Sequence, residues 1–311
     1  MDATMLAQLK ANLFPAAHAA IDDWDAFPWH HAAGQTCDTW RPHSSQALAI
    51  DVFGTLRAAP QTERDAVLDR LAAFLGLQGG GPWSVELEWR DPLNRLRERR
   101  RTQVDALVRS PRQIMLFEVK FTEGAGVGCS QTSPLARGPH RGMLQCNGNY
   151  EPQTNPSNGV RARCALTGKR IHYWEAIPEV FRCDAAADYR PCPFAADEFQ
   201  WMRNHVLAWR VARDEGLRPA AVVVYADSPH LRFPALLAGD VWRGFEQALR
   251  PEAIASRMLS VQTLTGLAVV AVDSGVVGGH TWVGVQQWVE RKVSRAEQTQ
   301  AYRGREAALE A

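Results

Sequence analysis

The stretch Ile114-Met115-Leu116-Phe117-Glu118-Val119-Lys120-Phe121 is apolar at every position but two, and those two carry opposite charges. A short apolar run of this kind, entered through the turn signal Ser110-Pro111-Arg112, reads as a buried β-strand. Side chains alternate along a strand, so Glu118 and Lys120 fall on one face beside Leu116, with Phe117, Val119 and Phe121 on the other. A carboxylate and an ammonium inside a buried strand are costly unless they are partnered or put to use. Upstream, Thr102-Gln103-Val104-Asp105-Ala106-Leu107-Val108 reads as a second strand. An antiparallel hairpin through the Ser-Pro-Arg turn would carry Asp105 back alongside Glu118. Two carboxylates converging at a strand end can hold a hard divalent cation such as Mg2+ or Mn2+ through oxygen. The neighbouring Lys120 could orient a water, help deprotonate it, or stabilise charge developing on a phosphate. The bland alternative is an ordinary half-buried ion pair in a hairpin, and the spacing D-x12-E-x-K also arises by chance. Its position inside an apolar strand, after a helix and another strand, favours the active-site reading.

Outward from this hairpin, Trp83-Ser84-Val85-Glu86-Leu87-Glu88-Trp89 alternates apolar and polar and reads as a strand. Residues 44–53 read as a Ser44-capped helix ended by Gly54, and residues 62–77 as a second helix, broken by the Gly79-Gly80-Gly81-Pro82 run. Residues 122–193 are loop-like, rich in Gly, Pro, Asn and Cys. A long helix is expected over 195–215, a short buried strand over 220–226, a helix near 241–249, a strand near 258–264 and a helix near 282–293. That order predicts an α/β fold with a central mixed β-sheet flanked by helices and one large Cys-bearing insertion.

The triad Asp105, Glu118 and Lys120 resembles the PD-(D/E)XK signature of nucleases with a restriction-endonuclease-like fold. Val104 stands where a Pro is usual. The motif covers roughly residues 83–121, and the compatible element order extends to about residue 227. The strings Ser44-Ser45-Gln46-Ala47-Leu48-Ala49, Phe117-Glu118-Val119-Lys120-Phe121-Thr122-Glu123, Cys192-Pro193-Phe194 and Phe199-Gln200-Trp201-Met202-Arg203-Asn204 are similar to a bacterial branch described as restriction endonucleases. The resemblance implies a Mg2+-dependent (or Mn2+-dependent) hydrolase acting on DNA in restriction, defence or repair. In it, Asp105 and Glu118 ligate metal with the Val119 carbonyl as an extra oxygen, and Lys120 positions the attacking water. It also implies a further acidic residue from an earlier element. Glu86 and Glu88 share a strand face, so either could serve, and Gln46 could occupy the helix position instead; Glu88 is preferred.

Arg97, Arg99, Arg100 and Arg101 belong to a run with six arginines in residues 90–101. Arg pairs with phosphates through a planar fork, so these four read as DNA contacts, although Asp91 and Glu98 could make the run a solvated connection. Gln200 and Arg203, on the helix after the insertion, are further candidates for phosphate or active-site support. Among the six Cys, Cys129, Cys164, Cys183 and Cys192 flank or lie within the insertion and could hold an iron–sulfur cluster or Zn2+, as in RecB-type and AddB nucleases. No Cys-x2-Cys spacing is present, and buried free thiols are the competing reading. His30, His31 and His43 lack a partner at helical metal spacing and are set aside.

The chain of 311 residues carries 35 basic and 34 acidic side chains, a net charge of +1. Thirty-one of the basic residues are Arg, which makes Lys120, one of four Lys, conspicuous. This balance excludes a disordered chain and a cationic tail that coats nucleic acid indiscriminately. No apolar run reaches the roughly 18 residues needed to cross a bilayer, and the first twenty residues lack a signal-peptide layout. A soluble cytoplasmic protein is expected, with DNA as its partner, no membrane contact, and scope for a homo-oligomer or for partner proteins of a defence or repair system. The length accommodates an N-terminal extension over 1–43, a nuclease core over 44–227 that includes the insertion 122–193, and a C-terminal elaboration of the same domain over 228–311. Two other readings stand beside the DNA nuclease. One is a non-catalytic nucleic-acid-binding or assembly module retaining the fold, and the other an RNA nuclease. The intact Asp, Glu and Lys weigh against the first, and the lack of an aromatic-rich RNA-binding strand weighs against the second.

Overall fold

The strands expected around Asp105 form an antiparallel run of β1 (Ser84–Arg90), β2 (Gln103–Arg109) and β3 (Gln113–Lys120). In the computed structural model, which describes residues 1–31, 37–123, 128–273 and 279–309, β4 (Gln153–Thr154) and β5 (Arg161–Ala162) pair only with each other inside the insertion. The main sheet continues through β6 (Arg218–Tyr225) and β7 (Ala255–Ser260), both parallel to β3, in the order β1-β2-β3-β6-β7. The sheet is therefore mixed, as expected, and its β3 and β6 are the most apolar strands because helices cover both their faces.

One helical layer holds α1 (Ala3–Asn12), α2 (Ser45–Ala49), α3 (Thr55–Ala58), α4 (Gln61–Phe74), α10 (Val261–Asp273) and α11 (Gly279–Leu309). The other holds α5 (Ala165–Gly168), α6 (Tyr173–Val180), α7 (Glu198–Glu215), α8 (Arg232–Leu237) and α9 (Asp240–Ala248). Met115, Phe117 and Val119 of β3, with Val222 and Val224 of β6, face the first layer. Ile114 and Leu116, with Ala221 and Val223, face the second. The fold is a restriction-endonuclease-like α/β core. Among the described residues no helix is long and apolar enough to cross a membrane.

Two local expectations are corrected. Gly54 does not end its helix: α2 passes through one wide turn, Ile50–Gly54, directly into α3. Gly54 instead allows close approach, because a Cβ there would come within 3.1 Å of the Ala17 Cβ. The strand near 258–264 stops at Ser260, whose hydroxyl accepts from the Thr263 N–H at 3.0 Å and starts α10. The hydrophobic alternation continues through this junction, so the cap rather than the pattern sets the boundary.

The wide turn also carries Asp51, which is fully buried. Its Oδ1 accepts the Phe14 N–H at 2.6 Å, and its Oδ2 accepts from Trp288 Nε1 at 3.1 Å and from the Lys292 ammonium. Burial pushes the Asp51 carboxyl up and pulls the Lys292 ammonium down, each against the attraction of the other. Thus one carboxylate joins the start of the chain, α2 and α11.

Candidate active site

The hairpin register Ala106↔Phe117 brings Asp105 opposite Glu118. Asp105, Glu118, Lys120 and Glu88 are all buried, none more than 8 % exposed. Asp105 Oδ2 accepts the Val119 N–H at 2.6 Å. Glu118 Oε1 accepts from Lys120 Nζ at 2.9 Å and from Gln200 Nε2 at 2.5 Å, while its Oε2 accepts from Asn204 Nδ2 at 3.0 Å. Lys120 also donates to Gln200 Oε1 at 2.9 Å, so Gln200 bridges the ion pair. Burial raises the Asp105 carboxyl well above the usual carboxylate range, and the nearby Glu118 and Glu88 carboxylates push it further. For Lys120, burial acts to lower the ammonium, but Glu118, Glu123 and Asp105 together outweigh it and hold the group protonated.

Strict alternation would put Glu86 and Glu88 on one face of β1, and the structure corrects this. Glu86 is exposed and Glu88 buried, because Glu88 adopts a left-handed backbone with φ of 52°. A non-glycine residue in that region is strained by about 1–2 kcal/mol. The reversal turns the carboxylate toward Asp105. Gln46, at the start of α2, is buried and donates to Glu88 Oε1 at 2.6 Å. Its own Oε1 accepts from the His30 N–H at 2.7 Å and from the Thr39 hydroxyl. Gln103 donates to Glu88 Oε2. The His30 ring, set aside on sequence grounds, stands 3.4 Å from Glu88. Ligand atoms of His30, Glu88 and Asp105 all lie within 4.8 Å of one another, a group able to hold a metal ion. Burial acts to lower the His30 pKa, and the Glu88 carboxylate more than offsets it, so the net shift is upward.

Of these groups, His30, Glu88, Gln103, Asp105, Glu118 and Gln200 line a cleft of about 1680 Å3. Arg97, Arg99, Arg100 and Arg101 line it and are exposed. Among the described residues none of these four guanidiniums has an ion-pair partner. The acidic residues of the same segment are occupied elsewhere. Asp91 pairs with Arg95, which also reaches Asp214 and Glu215. Glu98 accepts from the Thr102 N–H and hydroxyl, both at 2.6 Å, and from the Tyr173 hydroxyl. Arg203 joins this anchor, donating to Thr102 Oγ1 at 2.9 Å, with Glu98 3.4 Å away. It thus fixes the segment that presents the exposed arginines, while Gln200 reaches the carboxylates directly.

Cys129, Cys164 and Cys192 line one small apolar cavity, and the fourth thiol there is Cys146. Cys183 is not part of it: it is buried in the core beyond α6, under the influence of Arg250.

Sequence reading passed over His30, Asn204 and Gln103 and weighed Gln46 only as a substitute for the third acidic residue. Two of these left a periodic trace: Asn204 lies one helical turn beyond Gln200, and Gln103 is two residues from Asp105 in β2. His30 left none.

No curated protein and no solved structure matches the chain. The model of a family described as Restriction Endonuclease associating with ARP matches residues 17–269, a span that contains the entire main sheet and every site residue described above. The chain belongs to this family of restriction endonucleases associating with ARP.

Proposed function

We propose that the protein is a Mg2+- or Mn2+-dependent DNA nuclease of the PD-(D/E)XK type that hydrolyses phosphodiester bonds. The observation that carries this reading is the placement of two buried carboxylates, Glu118 and Glu88, near enough to the buried Asp105 to raise it, with the Lys120 ammonium bound to Glu118. So much negative charge held together at the floor of an Arg-lined cleft suits a hard cation bound through oxygen. Asp105 and Glu118 would hold it, with the Val119 carbonyl as an additional oxygen and Glu88 from the neighbouring strand. When bound, the cation would supply Lewis-acid stabilisation of charge on the phosphate. Lys120, fixed by Glu118 and Gln200, would hold the attacking water, and Arg97, Arg99, Arg100 and Arg101 would neutralise backbone phosphates. Association with ARP, part of the family's description, belongs to the same proposal.

The test is cleavage of linear and circular DNA with Mg2+ or Mn2+, wild type against Lys120→Ala and Asp105→Asn, with circular dichroism to establish that each variant folds. Loss of activity on the order of a hundredfold or more is expected for each, the scale seen when one transition-state contact is removed. Undiminished cleavage in both variants would overturn the assignment. Retarded DNA migration without cleavage, across metals and substrates, would make the protein a binding module instead.

A further inference from the structure

The insertion between β3 and α7 contains only short elements over residues 128–193, chiefly β4, β5, α5 and α6. It nevertheless supplies Gln131, Gln145, Lys169 and Tyr173 to the wall of the cleft. A segment so poor in regular structure has few cooperative hydrogen bonds to hold it in place. What its separate pieces share is a cavity. Cys129, Cys146, Cys164 and Cys192 converge on it, surrounded by Tyr150, Trp174, Phe194 and Met202. None of the four is in a disulfide.

Each thiol arrives on a different piece of chain, and backbone bonds tie those pieces together around the cavity. The Cys129 N–H donates to the Ala195 carbonyl at 2.9 Å, Cys146 to Gln131 at 3.0 Å and Cys192 to Gly148 at 2.9 Å. The Cys164 carbonyl accepts from Gly168 at 3.0 Å, closing the first turn of α5. A small apolar residue would satisfy packing at any one of these positions, but convergence of four thiols from four segments is the arrangement of a thiolate-ligated metal centre.

We propose that these four cysteines ligate an iron–sulfur cluster that staples the insertion against the nuclease core. The span of the thiols distinguishes between metals. A single Zn2+ with ~2.3 Å bonds in tetrahedral geometry requires its sulfurs about 3.8 Å apart. Among the described residues, the one group of three or more ligating side chains with atoms mutually within 4.8 Å is His30, Glu88 and Asp105, so no three of the thiols are that close together. A multinuclear cluster spreads its thiolates more widely. Lys169 adds positive charge where an anionic cluster would need it: it lies beside Cys129 while donating to Gln131 Oε1 at 2.5 Å and to Gln145. On metal binding each thiol would release its proton to solvent. Burial, with the neighbouring thiols adding to it, pushes Cys129 up to about 11 and Cys192 to about 12, and raises Cys164 as well.

The test reads metal content rather than cleavage, so it stands apart from the nuclease proposal. The full chain, purified without oxygen, is assayed for iron, acid-labile sulfide, zinc and visible thiolate-to-iron absorption, wild type against Cys146→Ala and Cys183→Ala. About four iron and four sulfide per chain are expected, as for a Cys-ligated cubane cluster, lost in Cys146→Ala and kept in Cys183→Ala. Alkylation mapping of the wild type supplies a readout that needs no variant. Cys129, Cys146, Cys164 and Cys192 should be protected together, then become reactive together once iron is removed by a chelator under reductant. Iron retained in Cys146→Ala, stoichiometric zinc in place of iron, or wild-type protein with neither metal would each overturn the proposal.

Discussion

Replacing Lys292 with Met removes the charge that, among the described residues, is paired with Asp51, at a point where burial already disfavours both ionised groups. The stranded carboxylate keeps the Phe14 and Trp288 N–H groups as donors, but these do not replace a cation, and removing one partner of a buried pair costs about 3–5 kcal/mol. The penalty has a ceiling, because Asp51 can escape by taking up a proton. An ordinary Asp has a pKa of about 3.9, so protonating it at pH 7 costs about 3 pH units at ~1.36 kcal/mol each, or about 4 kcal/mol. We therefore expect Lys292→Met to be destabilised by about 3–4 kcal/mol at pH 7. The sign of the pH dependence follows from linkage. In the variant the folded-state pKa of Asp51 lies far above its unfolded value, so folding takes up a proton. The stability this contributes is complete below the unfolded pKa and declines as pH rises toward the folded one. The deficit relative to wild type should thus shrink by about 1.4 kcal/mol per unit as pH falls from 7 to 5. Urea unfolding at pH 5, 6 and 7, followed by far-ultraviolet circular dichroism, measures it. The double variant Asp51→Asn with Lys292→Met, which retains an acceptor oxygen without the charge, should recover most of the loss. A penalty below about 1 kcal/mol at pH 7, or one that does not change with pH, would refute the reasoning.

The left-handed Glu88 should separate function from stability. Glu88→Gly, free of the steric penalty, is expected to melt higher than Glu88→Ala by the equivalent of about 1 kcal/mol, while both lose metal-dependent cleavage; calorimetry and the cleavage assay together check this. Arg100→Ala should weaken DNA binding to a similar extent for every sequence and flatten the plot of log affinity against log salt by about 0.9, the value of one phosphate contact. An unchanged slope in fluorescence anisotropy titrations would place Arg100 off the DNA path.

The central sheet could be read from sequence because β3, except at Glu118 and Lys120, and the body of β6 are apolar runs, and the Ser110-Pro111-Arg112 turn fixes β2 as the antiparallel neighbour of β3. The pairing of Glu118 with Lys120 follows from strand period alone. Glu88 shows where period stops being informative. Its face is reversed by a backbone conformation that tertiary contacts impose, and nothing in Glu-Leu-Glu announces it. That Cys146, and not the expected Cys183, joins Cys129, Cys164 and Cys192 at one cavity has no sequence signal for a related reason. In an insertion without regular period, the positions of side chains depend on long-range backbone bonds, such as Cys192 to Gly148. His30 reaches the site from an irregular N-terminal segment through its N–H bond to Gln46, a link with no local signature.

Apart from Lys120 on Glu118 and the His30 ring beside Glu88, the side chains that hold these two carboxylates are carboxamides: Gln46 and Gln103 on Glu88, Gln200 and Asn204 on Glu118. An amide donates a hydrogen bond yet brings no formal charge, so it can lock a carboxylate in one orientation without neutralising it. Arginines at those positions would have fixed the same geometry and cancelled the field. The two carboxylates are thus held without being neutralised by these amides, and on the proposed metal-dependent reading the tighter the amides hold the oxygens, the less reorganisation a cation would have to bring about on entering.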